Sequence, residues 1–182
     1  MKRRFLFFGW LVLIMTTAIP LEAAWTTKRL TNDSASSIWP KLAISGTNVY
    51  VVWHSMLPGQ QNIWFLKSPD GGATWQRVQR ITTGSKGARW PHIAASGSNV
   101  YVVWDTTDEP DGTIYFRRSL DGGATWQAAR RIASGAPGFK SNARVAVEGS
   151  NVHIVWYQFD EEGSQVYYRK SADGGKTWQA AR

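Results

Sequence analysis

The sequence predicts an all-β fold built from one four-stranded unit written three times, and three observations predict it. Ser68-Pro-Asp-Gly-Gly-Ala-Thr-Trp75 returns as Ser119-Leu-Asp-Gly-Gly-Ala-Thr-Trp126 and again as Ser171-Ala-Asp-Gly-Gly-Lys-Thr-Trp178, at spacings of 51 and 52 residues. A second landmark keeps the same period: Gly46-Thr-Asn-Val-Tyr-Val-Val-Trp53, Gly97-Ser-Asn-Val-Tyr-Val-Val-Trp104 and Gly149-Ser-Asn-Val-His-Ile-Val-Trp156. Composition agrees. The 182 residues include 17 glycines and 11 tryptophans, and nowhere do apolar residues recur at helical spacing. Repeats near 50 residues that each carry four short strands are the signature of propeller blades.

The elements follow in chain order. Lys2, Arg3 and Arg4 precede an apolar run over 5–19, then Pro20 and Leu-Glu-Ala-Ala. That is the layout of a secretory signal over 1–24, and the run is shorter than the roughly 20 residues a spanning helix needs. Cleavage is expected after Ala23 or Ala24, leaving no stable membrane span and a secreted, periplasmic or cell-surface protein. The remaining domain, 25–182, opens with Trp25-Thr-Thr-Lys-Arg-Leu30, which matches Trp75-Gln-Arg-Val-Gln-Arg80 and Trp126-Gln-Ala-Ala-Arg-Arg131. It reads as an extra fourth strand over 25–31. Blades are expected at 38–82, 89–133 and 142–182. In the second, 89–95 is a strand, Ser96-Gly-Ser-Asn99 a hairpin turn, and 100–104 a strongly β-forming strand. A polar loop over 105–112 leads to a third strand at 113–118, and the Asp-Gly-Gly turn leads to a fourth that begins at Thr125-Trp126.

The repeated Ser-x-Asp-x-Gly-x-Thr-Trp resembles the Asp-box, or bacterial neuraminidase repeat. Over 25–182 the chain looks like the sialidase superfamily of β-propellers, whose full fold has six blades. The resemblance implies that these motifs sit on the turn between third and fourth strands, on the face away from the active site. Their chemistry is structural. Asp70, Asp121 and Asp173 are placed to accept turn N–H groups, the glycines supply positive φ, and Trp75, Trp126 and Trp178 pack beneath. Strand alternation then places the loops 54–62, 105–113 and 157–165, and the links 82–88 and 133–141, on the opposite face. The starts of the innermost strands lie there too.

Those strand starts carry Ile38-Trp-Pro-Lys41, Arg89-Trp-Pro-His92 and Ser141-Asn-Ala-Arg144. Lys41, His92 and Arg144 share one phase of the repeat and are candidate substrate-binding residues. Sialidases open their first blade with Phe-Arg-Ile-Pro, whose arginine grips the substrate carboxylate; Ala88-Arg89-Trp90-Pro91 resembles it and implies that role for Arg89. A planar guanidinium forks onto a carboxylate through two hydrogen bonds. The blandest alternative for Arg89 is an ordinary polar residue at a strand start. In the first blade Ile38 occupies the slot. The family's Glu-x-Arg after the second strand is replaced by His54-Ser-Met, Asp105-Thr-Thr and Tyr157-Gln-Phe. The family places an acid/base Asp in the loop after a second strand, which makes Asp108 and Asp111 the nearest candidates, against a solvated loop tip as the alternative. Tyr115, Tyr167 and Tyr168 fall in third strands, where packing accounts for them.

Other chemistries are thinly supported. With no cysteine, disulfides, thiolate metal ligands and thiol catalysis are excluded. His54, His92 and His153 fall at different phases with no metal-ligand spacing, and no cofactor motif occurs. Removing Lys2, Arg3, Arg4 and Glu22 with the leader takes the formal charge from +8 to +6, which favours anionic partners. The basic residues are scattered, so nucleic acid is not expected. The sequence therefore predicts a secreted sialidase-like propeller that acts on or binds a glycan or glycoconjugate, sialylated or otherwise anionic. Two alternatives stand beside it: an active exo-α-sialidase when further blades are supplied, and a non-catalytic protein-interaction propeller. Closed propellers have about 4–8 blades, and an extra fourth strand needs a blade to complete. The chain is thus expected to be the N-terminal part of a larger propeller.

Overall fold

A computed structural model describes residues 27–32, 35–57, 60–83, 87–107, 112–134 and 138–182. It divides into two compact units, Met1–Asn32 and Asp33–Arg182. The expected signal segment lies outside the described residues. In the first unit, 27–32 carry no regular secondary structure, and Arg29 Nε donates to the Thr31 carbonyl at 2.6 Å.

The second unit is all β. Its strands are β1 (Ser36–Ser45), β2 (Asn48–Leu57), β3 (Gln60–Ser68), β4 (Gln79–Arg80), β5 (Ala88–Ser96), β6 (Asn99–Thr106), β7 (Thr113–Ser119), β8 (Arg130–Ala133), β9 (Phe139–Glu148), β10 (Asn151–Asp160) and β11 (Gly163–Ser171). They form three antiparallel sheets in chain order, β1-β2-β3-β4, β5-β6-β7-β8 and β9-β10-β11. Along the edge of β11, Tyr168 and Arg182 exchange backbone hydrogen bonds of 2.9 and 3.1 Å, the position of a fourth strand. The repeat thus builds three blades. Each first hairpin closes through a two-residue loop led by Gly46, Gly97 or Gly149, with φ of 59°, 57° and 55°, the conformation a type II′ turn demands.

Fourth strands begin later than the spacing predicts. Gln127 donates one backbone hydrogen bond to Arg118 at 3.0 Å, but ladder pairing begins only at Arg130 opposite Phe116, and the register shifts further on, between Arg131 and Ala133. Trp126 draws the chain off the sheet to reach the neighbouring blade.

Two apolar cores fill the gaps between blades. Tyr50, Val52, Ile63 and Phe65 of the first blade meet Ile93, Val100, Val102 and Trp104 of the second. Tyr101, Val103, Ile114 and Phe116 of the second meet Val145, Val152, Ile154 and Trp156 of the third. Every other residue of a strand faces each side, so one blade supplies half of each core. Positions that are sealed at these junctions lie open on the outer blades. Ile93 and Val145 are 3% exposed, whereas the equivalent Leu42 is 63% exposed; Ile63 and Ile114 are 0% exposed, whereas Val166 is 79% exposed.

The Ser-x-Asp turns tie the blades together. In the first, Ser68 Oγ donates to Asp70 Oδ1 at 2.8 Å. Asp70 also accepts the Thr74 amide at 2.8 Å and the Thr74 hydroxyl at 2.6 Å. These donors, Thr74 foremost, hold the Asp70 carboxyl at about 2. Asp121 and Asp173 are held low by the same arrangement. The turn glycines do more than bend the chain. A Cβ on Gly123 would lie 2.3 Å from Phe65 Cζ, and one on Gly175 would lie 2.6 Å from Phe116 Cζ. The second and third turns are thus each wedged against the third strand of the blade before. Arginines complete the junctions: Arg117 Nε donates to the Gln127 carbonyl at 2.6 Å while its Nη1 reaches the Ile81 carbonyl of the first blade. Arg169 repeats this with Gln179, also at 2.6 Å, and with Ile132.

Candidate functional site

The first strands of the three blades lie side by side, and each starts with a β-bulge. Pairing slips between Ile38 and Lys41, between Arg89 and His92, and opposite Val155 and Tyr157 in the third sheet. At each bulge one residue that is not glycine has a left-handed backbone: Trp39 (φ 56°), Trp90 (φ 49°) and Asn142 (φ 57°). Asparagine tolerates this region, but a bulky indole does not, at a cost on the order of 1–2 kcal/mol. Such outliers persist where surrounding structure imposes them, and they gather at sites.

The bulges open onto a cavity of about 250 Å³ lined by Trp39, Lys41, Trp90, Pro91, Asn142, Arg144 and Tyr157. All three blades contribute. Trp39 is 55% exposed, although an indole is among the most apolar surfaces a chain can present. Lys41 and Arg144 stand on the first and third blades. Arg144 Nη1 donates to the Ala143 carbonyl at 3.1 Å, and neither cation has a carboxylate partner among the described residues. The arrangement offers two aromatic faces, a tyrosine and two cations to one ligand. Sugars stack their C–H faces on aromatic rings, and anions pair with such cations.

His92, the second-blade counterpart of Lys41 and Arg144, does not line the cavity. Its Nδ1 accepts the Val145 amide at 3.4 Å across the junction. Burial, with Arg144 and Lys41 nearby, lowers its pKa to about 4, so the ring is neutral at pH 7. Arg89 is not among the lining residues either. Its guanidinium stacks on Trp90 at 4.1 Å and faces Phe139 at 5.5 Å, behind the cavity wall. Asp108 and Asp111 lie outside the described residues. Asp70, Trp75, Asp121, Trp126, Asp173 and Trp178 occupy the turns after the third strands, at the opposite end of the blades from the bulges.

Asp105 was legible only as one acid among several in a polar loop. It is the penultimate residue of β6, paired with Arg89, and is fully buried. Its Oδ2 accepts Ser141 Oγ at 2.5 Å and the Asn142 amide at 3.0 Å. Burial raises its pKa to about 6 against the pull of these donors and of Arg89. Both Asp105 Oδ1 and Arg89 Nε are buried without a hydrogen-bond partner. His54 holds the same place in the first blade, with its Nδ1 accepting the Trp90 amide at 3.3 Å; burial and then Arg89 lower its pKa. Sequence reasoning missed Trp39, Asn142, Tyr157 and this function of His54 and Asp105. No local signal marked the bulges: a residue before proline is pushed toward extended backbone, yet Trp39 and Trp90 are left-handed, as is Asn142, which precedes Ala143.

Among the described residues, no group of three or more His, Asp or Glu is placed to hold a metal ion, and no helix is long and apolar enough to cross a membrane.

No protein-family model and no curated protein matches the chain. Solved structures do. The sialidase of Trypanosoma rangeli in complex with sialic acid superposes with a TM-score of 0.61 at 14% identity, covering 79% of this chain and 30% of that one. The same sialidase in complex with 2,3-difluorosialic acid, a covalent intermediate, gives 0.61 at 13% identity over 81% of this chain and 31% of that one. A subtype N10 neuraminidase-like protein, from a strain named for the little yellow-shouldered bat, gives 0.52 at 12% identity, over 81% and 44%. The chain therefore spans about 30% of the Trypanosoma rangeli enzyme and has the blade architecture of the sialidase propeller fold.

Proposed function

We propose that this chain is the blade-bearing part of an exported sialidase-like propeller that binds glycans in the cavity of Trp39, Lys41, Trp90, Asn142, Arg144 and Tyr157. The observation that carries the reading is the cavity itself. Two indoles are held in a costly backbone conformation, one of them in solvent, beside two cations that have no carboxylate partner among the described residues. A protein gains nothing in folding from that arrangement, whereas a sugar ring with an acidic group gains a stacking surface and a counter-charge. Sialic acid, which the Trypanosoma rangeli sialidase holds in its complex, has that chemistry. Within this chain, recognition belongs to Lys41 and Arg144, with His92 neutral behind them and Arg89 backing Trp90. Hydrolysis would call on Asp108 or Asp111 as the acid/base and on groups from further blades.

The test is a glycan array probed with the chain lacking 1–24, run beside turnover of a fluorogenic sialoside. Binding of acidic glycans that is lost in the double variant Lys41→Ala/Arg144→Ala is the expected result. Binding of neutral glycans alone, or none, would overturn the anionic-glycan reading. Turnover abolished by Asp108→Ala or Asp111→Ala would favour the active exo-α-sialidase.

A further inference from the structure

We propose that His54 and Asp105 are positioning residues, each reaching from one blade to fix the left-handed bulge of the next and thereby to aim that bulge residue into the cavity. The inference rests on the reading of the cavity as a glycan site.

A bulge residue has dropped out of the ladder, so its N–H has no strand partner, and a buried N–H must find an acceptor elsewhere. At two junctions the acceptor comes from a second strand, from the residue just after its tryptophan. His54 Nδ1 takes the Trp90 amide at 3.3 Å, and Asp105 Oδ2 takes the Asn142 amide at 3.0 Å. An imidazole and a carboxylate share little except a lone pair, so the common requirement at this repeat position is an acceptor. Without it the backbone would relax to an extended conformation, and a one-residue slip sends every side chain on that strand to the other face. Trp90, Asn142 and Arg144 would then leave the cavity wall. Tyr157 occupies the equivalent position in the third blade and lines the cavity directly.

Arg89 completes the device. It lies opposite Asp105 in the sheet and stacks on the Trp90 indole at 4.1 Å, so one guanidinium braces the ring whose amide His54 holds. The charged and titratable groups facing these acceptors are Arg89 for His54 and Arg89 for Asp105, joined in the second case by the hydroxyl of Ser141.

The experiment uses the full chain, with free sialic acid as the probe and the backbone amides of Trp90 and Asn142 followed by NMR. Asp105→Ala and His54→Ala are each expected to weaken sialic acid binding about tenfold, the worth of one hydrogen bond. Asp105→Asn, whose carbonyl still accepts, should stay within about threefold of the parent. Parental affinity in both alanine variants, or an asparagine variant as weak as the alanine one, overturns the proposal. Should the parent bind no sialic acid, the glycan reading fails, and the amides alone decide the positioning role. An Asn142 amide proton that follows Asp105 titration and moves upfield in Asp105→Asn supports it; one indifferent to both overturns it.

Discussion

Phe65 of the first blade and Trp126 of the second meet edge to face, with ring centroids 5.0 Å apart and planes at 79°. Phe116 and Trp178 repeat the contact at the next junction with the same separation and angle. Trp126 and Trp178, which end the second and third Ser-x-Asp turns, therefore each belong energetically to the blade before. Such pairs add about 0.5–1.5 kcal/mol beyond their burial.

That contact leaves no room beside Gly123. Gly123→Ala is expected to destabilise the fold by about 1–3 kcal/mol through overpacking, plus the cost of a side chain at positive φ. Gly46 has φ +59° but open space around its Cβ position, so Gly46→Ala isolates the backbone cost. Urea unfolding of the two variants measures the difference; equal losses would remove the wedge from the account.

Stability should respond to pH through three sets of groups. Asp70 and Asp121 sit at about 2, below their ordinary 3.8. Their contribution is complete above pH 3.8 and disappears as pH falls through about 2. His92, at about 4 against an ordinary 6.5, contributes fully above pH 6.5 and loses that contribution as pH falls through about 4. Asp105 runs the other way. Its carboxyl is raised from 3.8 to about 6, so its contribution is complete below pH 3.8 and is lost as pH rises through about 6. The slopes of His92 and Asp105 oppose each other over the same interval. His92→Asn should tilt the pH dependence there toward decline with rising pH, and Asp105→Asn should tilt it toward increase. His54, also lowered by burial and Arg89, acts in the same sense as His92. Urea midpoints across the interval check both variants.

Trp39→Gly and Trp90→Gly should separate binding from folding. Glycine accepts positive φ freely, so each change relieves about 1–2 kcal/mol of backbone cost. For the exposed Trp39 no packing loss offsets this gain. Trp39→Gly is therefore expected to hold or raise the unfolding midpoint while abolishing glycan binding. Parental glycan affinity in that variant would take Trp39 out of the site.

Exposure at the outer blades predicts tolerance. In 35–182 taken alone, Leu42→Lys should change stability by no more than about 0.5 kcal/mol, as surface substitutions do. At the equivalent position of the second blade, Ile93→Ala should cost about 2–5 kcal/mol. Chemical denaturation of the two variants makes the comparison directly.

The repeat made the blades legible because its landmarks are local. Gly-Ser-Asn before Val-Tyr-Val-Val-Trp specifies a hairpin within eight residues, and the acceptor geometry of Asp121 is fixed within the turn that contains it. What was not legible depends on contacts between blades. Trp126 draws the fourth strand away from its sheet because Phe65 lies across the junction. Arg89 carries a motif that suggests a ligand grip, yet Trp90, Phe139 and Asp105 surround it in the fold. His54 and Asp105 look like loop polarity until the amides of Trp90 and Asn142, some 36 and 37 residues onward, are brought to them.

Because the second and third glycine turns are each seated on the third strand of the preceding blade, the blades are coupled like a row of nearest neighbours. The second blade has a seat on either side, whereas the first and third each have one within the described fold. Unfolding of 35–182 should accordingly begin at the outer blades and reach the Val100–Val103 backbone last, giving those amides the slowest hydrogen exchange in the chain. Any ligand that touches Lys41, Trp90 and Arg144 together spans all three members of the row, so its binding energy is spread across both junctions at once.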